Sequence, residues 1–306
     1  MRVLITGGNG FIGSHLAESM LSRGHSVVLM DLKFGQNTAE LSCDKIVGDV
    51  SDINSFKRVP TDFDLIFHAA AVSRVEWGEL DPEKCLKTNV LGTMNTVTWV
   101  AGQVHPPQLV FASSREVYGD PTVFPVTEQH PRNPVSIYGV SKTTAEDLIK
   151  HWASSKALKY TIVRLTNVFG STRDLPERAI PNFVHKAIRN EPLVINGGEQ
   201  VIDFIYYEDV INDLIQLFEF VQAKNAKCTN TVFNLATGEG HSIRQLAELV
   251  RKLTNSSSTL TIVPRRDYDV RKFIGDSSKA QEALHIRPRT DLEKGLEKYI
   301  MQVRRS

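Results

Sequence analysis

The sequence predicts an α/β fold, a doubly wound parallel sheet with a smaller mixed α/β lobe, on three observations. Short apolar runs alternate with helical stretches through the first half. A glycine-rich loop, Gly7-Gly8-Asn9-Gly10-Phe11-Ile12-Gly13, directly follows the apolar run Val3-Leu4-Ile5. The second half loses this alternation and breaks into less regular pieces. Strands alternating with helices mean parallel pairing with both sheet faces covered. The first half is therefore expected to be Rossmann-like, and the later segments to build a substrate lobe.

Strands are expected at 2–6, 26–30, 44–48, 64–68, 108–112 and 160–165, with helices at 11–22, 51–58, 83–103 and 137–154. The first strand ends at Thr6. Ile12, Leu16, Met20 and Leu21 then repeat at helical spacing up to about Ser22. The second strand ends in Asp31. Beyond Pro176 a helix is expected near 178–190, then a Gly197-Gly198 turn and a short strand at 201–205. Further helices are expected at about 208–222, 242–254, 277–284 and 291–303. The chain should cross more than once between its two parts. Residues 1–167 plus about 201–236 form the expected dinucleotide-binding core, and 168–200 plus about 237–306 the lobe.

Composition points to a soluble enzyme. The 306 residues carry a net charge of +1 with both signs mixed throughout. That excludes a nucleic-acid footprint and a membrane-surface patch. Cys43, Cys85 and Cys228 are few and widely spaced. They read as reduced thiols of a cytoplasmic protein, without metal-ligand spacing. Met1-Arg2 leads straight into the first strand, so no secretory leader is expected, and no apolar run is long enough to span a membrane.

The glycine loop has a physical reading. Glycines permit the tight turn and a close approach of backbone to phosphate. The following helix start offers amides and a positive dipole end to an anion. Asp31 stands where an acid accepts hydrogen bonds from an adenosine ribose. A carboxylate there repels a 2′-phosphate, which favours NAD; Lys33 nearby is the one feature on the side of NADP. A plain helix-capping turn is the bland alternative for the glycines. A second signal is Tyr138-Gly139-Val140-Ser141-Lys142, with Ser113-Ser114 upstream. Four residues apart on a helix, Tyr138 and Lys142 share one face. Tyr268 and Lys272 have the same spacing without the surrounding motifs, so spacing alone decides nothing. Together the two signals imply a nicotinamide enzyme acting on a hydroxyl or carbonyl.

Further stretches complete the pattern: Gly48-Asp49-Val50, His68-Ala69-Ala70-Ala71, Asn89-Val90-Leu91-Gly92-Thr93 and Ser113-Ser114-Arg115-Glu116-Val117-Tyr118-Gly119. Then come Arg164-Leu165-Thr166-Asn167-Val168-Phe169-Gly170, Asp203-Phe204-Ile205-Tyr206 and Asn234-Leu235-Ala236-Thr237-Gly238. With these, the chain resembles an extended short-chain dehydrogenase/reductase of the nucleotide-sugar epimerase/dehydratase group over nearly its whole length. The resemblance implies that Tyr138 takes the proton of a sugar hydroxyl while hydride leaves, that Ser114 hydrogen-bonds the same oxygen, and that Lys142 holds the nicotinamide ribose. A lysine ammonium and an oxidised nicotinamide should lower the Tyr138 pKa toward neutrality. Gly7, Gly10, Phe11, Ile12, Gly13 and Asp31 are the implied cofactor residues of the first turn. Asp49 and Val50 would hold adenine, Ala69, Ala70 and Ala71 would let the backbone pass close to the cofactor, and Asn89 would stand beside it. Asp49 as a turn residue, Asn89 as a structural one and His68 as a satisfied strand end are the plain alternatives. Trp99 and Trp152 lie on two helices that pair between subunits in such proteins, so a homodimer is expected, against simple core packing.

The resemblance also frames the reaction. Epimerases oxidise C4 of the sugar, let the 4-keto intermediate turn, and return hydride to its other face. Dehydratases need an added acid–base pair, and their Ser-Thr-Asp-Glu stretch here reads Ser113-Ser114-Arg115-Glu116. A guanidinium cannot replace the aspartic acid. Glu116 keeps a decarboxylase or 4,6-dehydratase open. Asn167, Arg266 and Asp269 match residues that contact the nucleotide diphosphate and ribose. Ile202 stands where a phosphate-binding arginine is usual, and Asn196 where an aromatic often stacks on uracil. Arg74, Arg115 and Arg173 are extra cations that could meet a hexuronate carboxylate or a phosphate, or remain solvated. The expectation is a homodimeric NAD-dependent 4-epimerase of a UDP-hexose or UDP-hexuronate. Other readings are a decarboxylase or dehydratase, an NADP-dependent carbonyl reductase, and a non-catalytic dinucleotide sensor.

Overall fold

Val3, Leu4 and Ile5 are fully buried. The strand that carries them, β1 (Arg2–Thr6), lies inside the central sheet of the computed structural model, which describes residues 1–156, 158–286 and 289–305. A strand covered on both faces reads as an unbroken apolar run. Val3 and Ile5 join one core cluster and Leu4 the other, as the two-residue repeat of a strand requires.

The chain continues through α1 (Phe11–Ser22), β2 (Ser26–Asp31), β3 (Asp44–Val47), β4 (Leu65–His68), α2 (Val75–Leu80), α3 (Pro82–Leu86) and α4 (Gly92–Ala101). Then come β5 (Gln108–Ser114), α5 (Ile137–Lys156), β6 (Tyr160–Leu165), β7 (Asn167–Phe169), α6 (Ala179–Ile188), β8 (Leu193–Asn196), β9 (Val201–Ile202) and β10 (Phe204–Tyr206). The last elements are α7 (Tyr207–Gln222), β11 (Thr231–Leu235), β12 (His241–Ser242), α8 (Ile243–Thr254), β13 (Leu260–Val263), α9 (Ser278–Leu284) and α10 (Leu292–Arg305).

Seven strands form one parallel sheet in the order β11-β6-β5-β4-β1-β2-β3. The order reverses between β1 and β4. A crevice opens there beyond the strand ends, which is where ligands bind in open α/β sheets. On one face α1 and α7 pack together, burying Leu16, Met20, Leu214 and Phe218. On the other, α4 and α5 bury Val97, Val100, Ala145 and Ile149. A third cluster lies under the lobe, where α6, α8 and α10 contribute Phe183, Val184, Leu246, Val250 and Tyr299. Among the described residues three two-stranded sheets lie outside the central one: β7–β10 and β8–β13 are parallel and β9–β12 is antiparallel.

The structure alters several sequence expectations. The helix read over 83–103 is α3, a π-type turn at Lys87–Leu91, and α4. Residues 51–58 hold a 3₁₀ stretch, Ile53–Arg58, opened by the Asp52 carboxylate accepting from the Asn54 amide. The strand read at 201–205 divides into β9 and β10 at buried Asp203. That carboxylate accepts from the amides of Thr237, Gly238 and Gly275, so it ties three segments together. The short elements α2, β7, β8 and β13 and the edge strand β11 were not anticipated. Each spans only a turn or two of chain, and β13 is too exposed to show alternation.

A buried ion pair fastens the middle of the sheet to α5. Glu146 accepts from Arg164 Nε at 2.9 Å and Nη2 at 2.6 Å, and from Ser113 Oγ at 2.6 Å. Arg164 Nη1 also donates to the Tyr118 hydroxyl, which donates to Asn234 Oδ1. Burial alone would push the Glu146 carboxyl up, but the Arg164 and Ser113 contacts hold it below the usual carboxylate range. Removing one partner strands the other charge. Glu146→Ala should therefore cost about 3–5 kcal/mol of stability by urea unfolding. Glu146→Met combined with Arg164→Met should cost clearly less, and equal losses would show that the stranded charge is not the main penalty.

Candidate active site

The glycine loop crosses the crevice between β1 and α1. Gly7 has φ +73°, and a Cβ there would lie 2.7 Å from the Ala70 backbone nitrogen. A Cβ at Gly13 would collide with the Gly7 carbonyl oxygen. Helix α1 starts at Gly10 without a side-chain cap, which leaves its first turn of amides for an anion. Phe11 and Ile12 pack against the core at this start. Asp31 accepts from the Asn9 amide at 2.9 Å and the Leu32 amide at 2.8 Å, so its carboxylate is fixed at the loop. Burial pushes its pKa up, and those backbone donors pull it back. Ala69, Ala70 and Ala71 follow β4 and are half-buried across from Gly7. A cradle only glycine fits, an uncapped helix start and an acid at the end of β2 together fit a dinucleotide.

Three neighbouring residues have structural duties. Asp49 accepts from the Ser51 amide and hydroxyl, both at 2.8 Å, and so caps a turn. Val50 is buried, and its carbonyl accepts from Asn95 Nδ2 at 3.0 Å. Asn89 is the third. Its Oδ1 accepts from the Val72 amide at 2.8 Å, and its Nδ2 donates to Ser141 Oγ at 2.8 Å and to the Val72 carbonyl at 3.1 Å. The amide is spent on bracing the segment after Ala71 against α5. His68 is likewise satisfied, between Thr6 Oγ1 at 2.7 Å and Thr93 Oγ1 at 3.1 Å, with burial lowering its pKa to about 3.

Ser114 ends β5, and Tyr138 and Lys142 face it from the first turns of α5. Lys142 Nζ donates to the Ala112 carbonyl at 2.8 Å and lies 4.7 Å from the Phe111 ring centre. Burial lowers its pKa to about 8. In the chain by itself the Tyr138 phenol is pushed up to about 12. Burial is the largest cause, and Glu116 and Cys85 add to it, while Ser114 and Arg178 oppose it. Lys142 Nζ lies 6.0 Å from the Tyr138 ring centre.

These residues open on a cleft of about 730 Å³ lined by Ser114, Tyr138, Asn167, Arg74, Arg266 and Asp269 among others. Arg115 and Glu116 also line it, from the turn after Ser114. Arg266 pairs with Asp269 at 3.0 Å, and Arg74 with Glu76 at 2.6 Å. Arg173 does not line the cleft. It turns away to Glu18 at 2.8 Å and His15 at 3.4 Å, because α1 offers a carboxylate there. Sequence reasoning missed Glu76, Asp174 and Arg178 at the cleft wall; they stand outside the motifs it used. It also passed over Glu146, although Glu146 is one helical turn beyond Lys142 on the same face. Tyr268 lines the cleft from a loop, so its spacing to Lys272 has no helical meaning.

A glycine cradle at the switch point, with serine, tyrosine and lysine at its flank, defines a dinucleotide-dependent enzyme of the short-chain dehydrogenase/reductase type. The chain belongs to the NAD dependent epimerase/dehydratase family, whose profile matches residues 3–236. It is 31% identical to UDP-glucuronic acid decarboxylase 1 of Danio rerio, over 98% of this chain and 72% of the relative. Its fold matches a Thermotoga maritima UDP-glucose 4-epimerase with UDP-glucose, at TM-score 0.90 and 30% identity, over 100% of this chain and 99% of that one. It also matches a Bacillus cereus UDP-glucuronic acid 4-epimerase in complex with UDP-glucuronic acid and NAD, at TM-score 0.89 and 25% identity, with coverage of 100% and 99%. NAD is the cofactor of this family.

Tyr138→Phe removes the phenol oxygen and keeps the ring. Turnover should fall at least ~100-fold with NAD binding retained, as measured by steady-state kinetics and by titration with NAD. Undiminished turnover would remove Tyr138 from the chemistry. With the Asp31 carboxylate fixed at the loop, the wild type should bind NAD more tightly than NADP, and Asp31→Ser should narrow the gap. Equal affinities in the wild type would place the carboxylate away from the ribose.

Proposed function

We propose that this protein is an NAD-dependent 4-epimerase of a UDP-linked hexose or hexuronate, acting through a transient 4-keto sugar. The observation that carries this reading is the placement of Ser114 and Tyr138 together at one wall of a large cleft, with Lys142 behind them. Bound NAD supplies the hydride acceptor and donor. Tyr138 Oη takes the C4 hydroxyl proton, and Ser114 Oγ hydrogen-bonds the same oxygen as it becomes a carbonyl. With its pKa near 12, Tyr138 rests protonated and gives up its proton only when positive charge is brought beside it. The cleft gives the 4-keto sugar room to turn and present its other face.

The chain lacks the acid that elimination needs, because Arg115 occupies its position. Glu116 sustains the decarboxylase reading, as does the likeness to the zebrafish decarboxylase. Epimerisation itself gives Glu116 no proton to move.

The uridine nucleotide is supported by the UDP-sugars of the two structural relatives, with Asn167, Arg266 and Asp269 as its proposed contacts. Arg74 is a further proposed phosphate contact at the same wall, where it would have to leave Glu76. Gly7, Gly10, Gly13, Asp31 and the strand-end residues Ala69 to Ala71 are the proposed NAD contacts. We place residues 1–167 and about 201–236 in the NAD-binding part. The lobe takes 168–200 and about 237–306, of which 287–288 and 306 lie outside the described residues. The pairing of β9 with β12 moves residues 201–202 toward the lobe. Homodimerisation through α4 and α5 is supported by uncharged residues on their outer faces, Met94, Thr98, Val140 and Thr144. Trp99 belongs instead to its own subunit's core, against Phe56 at 5.5 Å. A cytoplasmic setting is supported by three free thiols, and no described helix is long and apolar enough to cross a membrane.

Incubation with a panel of nucleotide sugars, read by NMR and mass spectrometry, tests the reaction. An epimer of unchanged mass is expected from UDP-glucose or UDP-glucuronate. Loss of carbon dioxide or water at a competent rate would replace the epimerase reading with a decarboxylase or dehydratase.

A further inference from the structure

Arg74, Arg115, Arg178 and Arg266 all line the cleft, and each has a carboxylate oxygen within 3.3 Å. Glu76 differs from the other partners. Among the described residues it is the only cleft-lining carboxylate paired with two arginines. Its Oε2 lies 2.6 Å from Arg74 Nη2, and its Oε1 lies 3.9 Å from Arg266 Nη1. Arg74 stands at the start of α2 and Arg266 in the loop after β13, so one carboxylate joins two separate stretches of the cleft wall. Arg74 extends the chain of charges to a third stretch, ahead of α6. Its Nη2 donates to the Glu177 carbonyl at 3.5 Å, and its Nη1 lies 3.8 Å from the Glu177 carboxylate.

The short helix that carries Glu76 is fixed beside the catalytic side of the cleft. Glu79 Oε1 accepts from the Ile137 amide at 2.7 Å, and a Cβ on Gly78 would lie 3.2 Å from the Tyr138 backbone nitrogen. Glu76 is one turn away from Glu79. Its side chain is 37% exposed and that of Arg266 38%, so a ligand in the cleft can reach both. Two carboxylate oxygens shared between two guanidiniums is how arginines hold an anionic ligand. Any anion that uses these guanidiniums must first displace Glu76, and it then meets the Glu76 charge at close range. The displacement lowers apparent affinity by the fraction of time the arginines are free, and the repulsion lowers it further.

We propose that Glu76 is an internal stand-in for the substrate diphosphate, holding Arg74 and Arg266 in place and limiting how tightly a nucleoside diphosphate binds. The proposal rests on the nucleotide-sugar reading of this cleft and adds to it a residue that sets affinity without touching the reacting carbon. Glu76 moves no proton of the sugar. Binding energy common to substrate and product does not raise kcat, and a carboxylate that reclaims the arginines speeds departure of the nucleotide.

Calorimetric titration of the NAD-loaded protein with UDP and UDP-glucose tests this. Glu76→Gln keeps the shape and removes the charge, and it should bind both ligands at least about tenfold more tightly than the wild type. A loosened fold cannot tighten binding, so the direction of the change is diagnostic. Arg74→Met should weaken UDP. Adding Glu76→Gln to Arg74→Met should then gain less than about threefold, because one of the two released guanidiniums is gone. A Gln variant that binds UDP no more tightly than the wild type overturns the proposal and leaves the nucleotide-sugar reading standing. A gain that survives Arg74→Met in full overturns it as well. Failure of both wild type and Gln variant to bind UDP or UDP-glucose overturns the nucleotide-sugar reading, and this proposal with it.

Discussion

The buried contact between Glu146 and Arg164 is the constraint on which the site depends. It joins α5 to β6, takes in Ser113 of β5, and reaches Tyr118 and, through it, Asn234 of β11. Tyr138, Lys142 and Glu146 lie on one face of α5, at spacings of four residues. Fixing Glu146 therefore fixes the rotation of the helix about its axis. Ser113 faces Glu146, so the next residue, Ser114, faces the other side of β5 and ends the strand at the cleft. The alignment of serine with tyrosine is thus set by a charge pair that touches neither.

Burial organises the electrostatics of the site in one direction. It raises the Tyr138 phenol and lowers the Lys142 ammonium, so both resist charge in the chain by itself. The same pressure acts on Asp174 and Glu116 at the cleft wall, each opposed by a neighbouring arginine. A cleft of this kind responds strongly to any charge that enters it, because little solvent is present to screen the effect. Arg74 and Arg266 differ: they are paired with Glu76 and Asp269 at the more open rim, so any anion that enters must compete with those carboxylates.

Much of the first half was legible in the sequence because its signals are local and repeated. Val3-Leu4-Ile5, the glycine loop and Asp31 follow one another within a single strand–helix–strand unit, and each position has a stereochemical reason. Tyr138, Lys142 and Ser114 were legible because the neighbouring motifs limited the choice. Tertiary contacts decided the rest. Nothing near Arg173 in the chain reveals that Glu18 lies beside it. Asn89 sits in a motif, but only the fold shows that its amide meets Val72 and Ser141. The burial that raises the Tyr138 phenol in the chain by itself was not legible, because spacing says nothing of what surrounds the ring. The short strands β7, β8 and β13 exist because they find partners, which a window of four residues cannot disclose.

The return of β11 to the sheet edge bears on how the protein is made. The outermost strand next to β6 is supplied only after the chain has passed through α6, β8, β10 and α7. Tyr118 and its acceptor Asn234 are separated by 116 residues. A nascent chain that has released only β1 to β6 holds Arg164 and Tyr118 with one side of their network missing and the β6 edge unpaired. Closing so long a loop is slow compared with local pairing. The central sheet is consequently complete only after every segment between β6 and β11 has been made.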